Sequence, residues 1–424
     1  MHPLAMELKI LQFQITIQFL TLQKMSSKKS SIVILRSLII FFKILGLVPF
    51  KVCISSKTGI ITSVNYKLRD CLYNLLLLLC LIAAFYYRNL KNPEVKFEIK
   101  SINDFSETVY IIMDNITATI ILLSYAKNQR TATDIFRRLI SLSSDLSDSN
   151  LAQKKFLAKE TPICSLKSGK MIFIIAIQIF LTIFLFVLET IQNKKTSLYN
   201  ITRSIPLFII ACFIIQYAII VIHLEDLFCK MNSALLRIKN LAKCSQIEIE
   251  PERSLEGLKK VKRIYRRLRE VCEMVSNFNS WPILFVFIHF CPALTYSCWR
   301  LYNNFSEDKF IEDLTEKKIK CLMTALWIVK NLYPTSALIV SIILLFITKI
   351  DKIVCEIGRS SLNIRIRDQA EQFAMELLHK NINFNAFGFF SIQGSCLISL
   401  LHTALSYTFI IINYRDDNEN NSTK

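Results

Sequence analysis

The chain has 424 residues, of which 52% are hydrophobic and only seven are glycine, and its mean hydropathy is positive at +0.39. Several apolar runs approach or exceed the roughly 18–20 residues a bilayer-crossing helix needs, which excludes a pair of soluble domains and implies an integral membrane protein. The scarcity of Gly and Pro favours helices over a barrel of short strands and turns, and the formal charge of +19 reads as Lys- and Arg-rich loops on one membrane face rather than a nucleic-acid partner.

At the start of the chain, the apolar stretch Ile10–Leu22 is broken by Gln12, Gln14 and Gln18 and has no cleavage site, so it does not read as a signal peptide. Met25, followed by Ser-Ser-Lys-Lys, is an alternative start. The run Ile32–Phe50 carries Arg36 and Lys43 on one helical face and stops at Pro49. That pattern suits a helix lying in the membrane interface better than a span.

Seven spans are expected after it, near Cys71–Tyr87, Phe105–Ala126, Met171–Leu188, Ser204–Leu224, Trp281–Trp299, Cys321–Thr348 and Ala386–Tyr414. With the amino terminus inside, the cytoplasmic parts hold 37 basic and 18 acidic residues, and the external parts 14 and 12. The basic excess on one side sets that orientation. Sequons at Asn200, Asn304, Asn420 and Asn421 all fall in the external parts and are candidate glycosylation sites. The expected organisation is a cytoplasmic N-terminal region 1–69, transmembrane helices one to six over 70–348, a cytoplasmic helical link 349–385, the last helix 386–414 and an extracellular tail 415–424. The fold class is therefore all-α, with a cytoplasmic amino terminus, an extracellular carboxyl terminus and cytoplasmic extensions of the helices.

Segment 250–279 repeats Leu255, Leu258, Val261, Ile264, Leu268, Val271 and Val275 at helical spacing, with Lys and Arg between them. It reads as a cytoplasmic extension of the fifth span, with binding to anionic lipid or calmodulin as the other reading. Residues 351–380 are similar, and two such helices beside the membrane offer subunits a place to pack.

Enzyme motifs are absent: there is no GxSxG, GxxxxGK[ST], HExxH or GxGxxG. The thirteen cysteines include no CxxC pair and the five histidines are scattered, so no metal or cofactor is expected. The informative polar residues lie inside spans. Glu107, Tyr110 and Asp114 occupy the outer half of the second span, and Trp327, Lys330 and Asn331 that of the sixth. Charges at that depth need a partner or water. Asp114 and Lys330 stand at similar depth, and two readings fit: a structural ion pair, or one wall of a small-molecule pocket open to the outside. Trp327 and Tyr333 suit a pocket lining, whereas Tyr296 and Trp299 fit a pocket or an interfacial belt equally.

The last apolar stretch carries Ser391, Gln393, Ser399, His402 and Thr403 within its run. A helix facing only lipid has no use for such groups. Ile410, Asn413 and Tyr414 stand at i, i+3 and i+4, and Thr403 and Ser406 continue their face. From spacing alone this stripe suits a pore with a hydrophobic constriction and ordinary helix packing through small residues equally well.

The same residues carry a resemblance. Gly46-Leu47-Val48-Pro49-Phe50, His379 to Phe384, Ala386 to Phe390 and Ser406-Tyr407 followed by Thr408–Ile412 and Asn413-Tyr414 resemble the insect gustatory receptor family, whose last helix ends in Thr-Tyr, five hydrophobic residues and Gln-Phe. Tyr407 matches, while Ser406, Asn413 and Tyr414 are close substitutes. The resemblance implies a tastant-gated, nonselective cation channel, assembled as a homo- or hetero-tetramer in the plasma membrane of sensory dendrites, with the last helix around the pore and Tyr407, Ile410, Asn413 and Tyr414 near its constriction. The related odorant receptors share this architecture. A seven-helix G-protein-coupled receptor is opposed by the inside amino terminus and by the lack of Asp-Arg-Tyr and Asn-Pro-x-x-Tyr motifs. A transporter is opposed by the lack of an internal repeat.

Overall fold

The computed structural model describes residues 37–48, 50–54, 61–65, 68–91, 102–151, 163–192, 197–244, 251–306, 314–346, 350–361, 363–379 and 382–422. The Ile10–Leu22 stretch and Met25 lie outside the described residues, as do the side chains of Glu107, Asn200, Tyr414, Asn420 and Asn421. From Leu68 onward, the described residues form ten helices: α1 Leu68–Lys91, α2 Ile102–Lys127, α3 Gln129–Leu151, α4 Ile163–Gln192, α5 Ser197–Cys244, α6 Pro251–Ser306, α7 Leu314–Phe346, α8 Ile350–Ser360, α9 Ile364–His379 and α10 Gly394–Ser422. The protein is an all-α membrane protein of seven transmembrane helices, α1, α2, α4, α5, α6, α7 and α10, and the apolar runs named above fall on those seven.

Four stretches are long and apolar enough to cross a membrane among the described residues: Thr108–Lys127, Ser204–Asn240, Ser254–Phe305 and Gly394–Asn413. Asp70–Tyr86 and Ile172–Leu188 are shorter apolar helices. The charged segment before the fifth span is continuous with it, making α6 a single 56-residue helix. α5 is apolar on all sides because it is surrounded: it packs on α2, α4, α6, α7 and α8, and Phe213, Tyr217, Ala218, Val221 and Leu224 are fully buried along it.

The end of the bundle rich in Lys and Arg is tied together by ion pairs between helices. Arg138 of α3 reaches Glu270 of α6 at 3.2 Å, and Arg267 of α6 reaches Asp145 of α3 at 3.0 Å. Lys239 of α5 pairs with Glu356 of α8. Arg266 of α6 grips both carboxylate oxygens of Glu376 of α9, with Nε at 2.7 and 3.0 Å and Nη2 at 2.8 Å.

Ahead of α1, the expectation of a helix lying in the interface is met only in part. Residues 37–44 are helical, with Ile40 and Ile44 exposed, but the chain then turns inward and Leu47, Val48 and Phe50 are fully buried. The turn needs Gly46, whose φ is +76° and whose missing Cβ would stand 2.9 Å from Asn74 Oδ1. Polar side chains of three spans then secure this backbone. Asn74 Nδ2 donates to Gly46 O at 2.8 Å, Tyr73 Oη to Ile44 O at 2.7 Å, and Gln216 Nε2 to Leu47 O at 3.0 Å, while Tyr125 Oη donates to Gln216 Oε1 at 3.4 Å. Buried backbone outside regular structure has to find such partners. A short antiparallel hairpin, β1 Lys51–Ile54 with β2 Ile61–Asn65, follows.

The last span also starts later than its apolar composition suggests. Asn385–Ala386 (β3) and Phe390–Ser391 (β4) form a second tiny hairpin, turning through Phe387 at φ +50° and Gly388 at φ +79°. Ile392 N–H donates to Phe384 O at 2.8 Å, so α10 begins at Gly394 rather than Ala386. Hydrophobicity hid the turn, because its residues are themselves apolar. The Phe387 ring packs tilted against Trp281 of α6, with ring centres 4.0 Å apart, which seats the hairpin against that helix.

Candidate functional site

At the end of the bundle opposite the ion-paired one, α2, α6 and α7 converge on an aromatic cleft lined by Tyr110, Tyr296, Ser297, Arg300, Thr324 and Trp327. The Tyr110 and Tyr296 rings stack at 5.6 Å with 15° between their planes. Leu185 of α4, Leu207 of α5 and Ala293 of α6 close the cluster behind them. On α6, His289, Ala293, Tyr296 and Arg300 recur at steps of four, three and four, which places them on one helical face. The rings leave room for about one water molecule between them.

Two buried charged side chains lie one turn further in. Asp114 is four residues on from Tyr110, and its Oδ1 approaches Nδ1 of His289 at 3.1 Å. The imidazole in turn stacks under Tyr110 at 5.9 Å. Lys330, three residues on from Trp327, places Nζ 4.3 Å from the centre of the indole ring. Asp114, His289 and Lys330 are 2%, 4% and 3% exposed, so all three belong to the protein interior rather than to lipid. The cation over the indole face gains from the ring quadrupole, the more so in a site with little water.

Of the pocket candidates, Tyr110, Tyr296 and Trp327 therefore meet, with Asp114 and Lys330 beneath them. Tyr333 is half-buried and is not among the lining residues of this cleft. Trp299 is buried and is not among them either. His289 and Arg300 escaped the sequence reading. The helical spacing with Tyr296 was the signal that could have found both.

α10 is the least buried of the four long apolar stretches. Only 11% of its span Gly394–Asn413 is buried, against 78% for Ser204–Asn240 of α5. Its buried face is Ala404 and Thr408, and Ala404 packs with Phe290 and Leu294 of α6. Ser406, Tyr407, Ile410 and Asn413 are exposed and Thr403 is half-buried. The hydroxyls of Thr403 and Ser406 donate to the carbonyls of Ser399 and His402 in their own helix, which lets these polar residues sit on an apolar helix at low cost. Among the sequon residues, Asn304 lies in the last turns of α6 with its amide donating to Thr324 Oγ1 at 3.2 Å. Asn200, Asn420 and Asn421 lie in α5 and α10.

The geometry thus defines a seven-helix membrane protein in which one long helix, α6, separates a buried aromatic cleft from an exposed, apolar last helix. A family model described as 7tm chemosensory receptor matches residues 35–418, and the chain belongs to that family. Its fold is similar to the insect olfactory receptor OR5 from Machilis hrabei, with a TM-score of 0.58 over 89% of this chain and 97% of that one, at 11% identity. The same receptor in complex with eugenol gives a TM-score of 0.58 at 12% identity over the same shares. At such identities the likeness speaks for the fold. No curated protein matches the sequence.

Proposed function

We propose that the chain is a gustatory receptor that works as a tastant-gated, nonselective cation channel in the plasma membrane of sensory dendrites. The amino terminus and the ion-paired helices face the cytoplasm, the cleft opens outward, and four like or related subunits place α10 around a central pore. The observation that carries this reading is the double role of α6. Tyr296 stacks in the cleft, while Phe290, Leu294 and Thr295 of the same helix hold α10.

A small molecule entering the cleft has to part Tyr110 and Tyr296 from Trp327, and it thereby favours the conformation in which α6 and α7 stand further apart. The bound population shifts to the extent that the ligand binds that conformation better. Because α10 is held by α6, the shift reaches the pore helix. The sparse burial of α10 in one chain supports a role among several chains, since an apolar helix carrying exposed Ser406 and Asn413 needs protein or water on that side. Thr403, Ser406, Tyr407, Ile410, Asn413 and Tyr414 line the conduit in this reading, with Ile410 as its apolar ring. Asn200, Asn304, Asn420 and Asn421 are the external glycan acceptors in this reading.

The second reading is an odorant receptor subunit, and the observation favouring it is the fold it shares with OR5, which was solved with eugenol bound. The two readings differ in the stimulus and the neuron, not in the device. Expression in a sensory neuron lacking its own receptor, exposed to tastants and to volatiles, separates them. Ligand-evoked current that persists when G-protein signalling is blocked is the expected result. A response that disappears with that block overturns the channel.

A further inference from the structure

We infer that the cleft selects aromatic carboxylates: a flat ring held between Tyr110, Tyr296 and Trp327, with its anionic head on Arg300. The inference rests on the cleft being the ligand site. Its lining supplies planar faces and hydroxyls, and the Ser297 and Thr324 hydroxyls are already committed as donors. Ser297 Oγ donates to Ala293 O at 2.7 Å. Thr324 Oγ1 donates to Lys320 O at 2.9 Å and accepts from Asn304 at 3.2 Å. Arg300 is the charged residue of the lining, and it is half-buried at the mouth. Among the described residues no carboxylate lies within ion-pair distance of it.

A guanidinium offers only donors, in a planar fork that matches the two oxygens of a carboxylate. Arg300 places a positive charge at the mouth of the cleft. It favours a ligand anion and disfavours an ammonium on the same ring, the more strongly because the site is partly shielded from water.

The test uses triplets of compounds sharing one aromatic ring and differing only in the head, such as benzoate, benzyl alcohol and benzylamine. They are applied to cells expressing the full chain and, in parallel, to the purified receptor in a thermal-shift assay. The carboxylate is expected to act at the lowest concentration in its triplet, the alcohol at a higher one and the amine at the highest. Arg300→Gln should weaken the carboxylate about tenfold to a hundredfold, the range for a charge-assisted hydrogen bond, and leave the alcohol within threefold. Arg300→Lys should recover part of the loss. Equal loss for carboxylate and alcohol in Arg300→Gln, or no response or stabilisation from the carboxylate in any triplet, overturns the inference while leaving the cleft as ligand site. If Trp327→Ala changes neither response nor stabilisation for any compound, the cleft itself is not the site, and the inference falls with it.

Discussion

Thr295 and Tyr296 are neighbours in α6 but serve different partners: the Tyr296 ring stacks on Tyr110 of α2 at 5.6 Å, while Thr295 Oγ1 lies 3.4 Å from the carbonyl oxygen of Ala404 in α10. Successive residues of a helix point about 100° apart, so one helix presents one face to the cleft and the next to the last span, with no intervening loop.

That arrangement makes Ala404 sensitive to size. Its side chain is 1% exposed and sits against Phe290 and Leu294. Ala404→Leu forces extra volume between α6 and α10, an overpacking that costs about 1–3 kcal/mol and pushes the two helices apart. The expected outcome is a raised ligand-independent current at equal surface expression. A basal current equal to that of the unaltered chain would show that this contact does not bias the gate.

The turn ahead of α1 gives a second prediction. Gly46→Ala must hold a positive φ and push a methyl group against Asn74, whose amide secures that same turn. A cost of roughly 1–3 kcal/mol is expected, read as a lower melting temperature of the solubilised protein and reduced surface expression. Tyr73→Phe, which removes only the hydroxyl bonded to Ile44 O at the exposed rim of the turn, should cost less.

At the ion-paired end, Arg266 holds the Glu376 carboxyl below the ordinary carboxylate range through its hydrogen bonds, with Lys262 and Arg269 adding to the effect. A carboxylate with a lowered folded pKa contributes stability that is complete above its unfolded value, about 4.3, and is lost as the pH falls through the lower folded value. The α6–α9 link should therefore be insensitive to pH from neutrality down to about 5 and should weaken below about 4. Arg266 is half exposed, so the pair is worth no more than about 1 kcal/mol and less in high salt. In melting curves of the purified protein, Glu376→Gln should lower the midpoint at neutral pH and lose that effect in acid. A deficit that persists undiminished at low pH would assign the role of Glu376 to packing.

Inside the bundle, Asp114→Ala removes the oxygen standing 3.1 Å from His289 Nδ1 in a site only a few per cent exposed. Stranding a buried polar group costs about 1–3 kcal/mol. His289→Phe together with Asp114→Ala should recover part of that loss, since replacing both partners by apolar groups is far less costly than removing one. Thermal melts of the two single variants and the double variant check this, and strict additivity would mean that the two residues do not interact.

Much of this organisation was legible in the sequence because long apolar runs with sparse charges leave a membrane helix little choice of conformation. Each of the seven expected spans falls on a helix, the last only from Gly394 onward, and the charged run before Trp281 proved to be the first half of α6. Where sequence reasoning fell short, local chemistry was overruled by tertiary contacts. Residues Leu47, Val48 and Phe50 are as apolar as a membrane-surface helix requires, and only the polar reach of Asn74 and Gln216 shows that they go inward. Phe387 and Gly388 form a turn inside a stretch whose composition reads as helix. Tyr110, Tyr296 and Trp327 could each be picked out, but their meeting depends on how α2, α6 and α7 cross, which spacing within one helix does not reveal. His289, a single histidine in an apolar run, gained meaning only when Asp114 appeared beside it.

The central claim is that α10 of each subunit lines an ion-conducting path, and the most direct measurement is the reversal potential of the ligand-evoked current in Asn413→Asp. Asn413 is exposed on the stripe shared with Ser406 and Ile410. A carboxylate there, repeated in every subunit, forms a ring of negative charge in the conduit. The account predicts a shift of the reversal potential toward greater calcium permeability relative to sodium. A ligand-evoked current of unchanged reversal potential, at normal surface expression and with both ions varied, would contradict it.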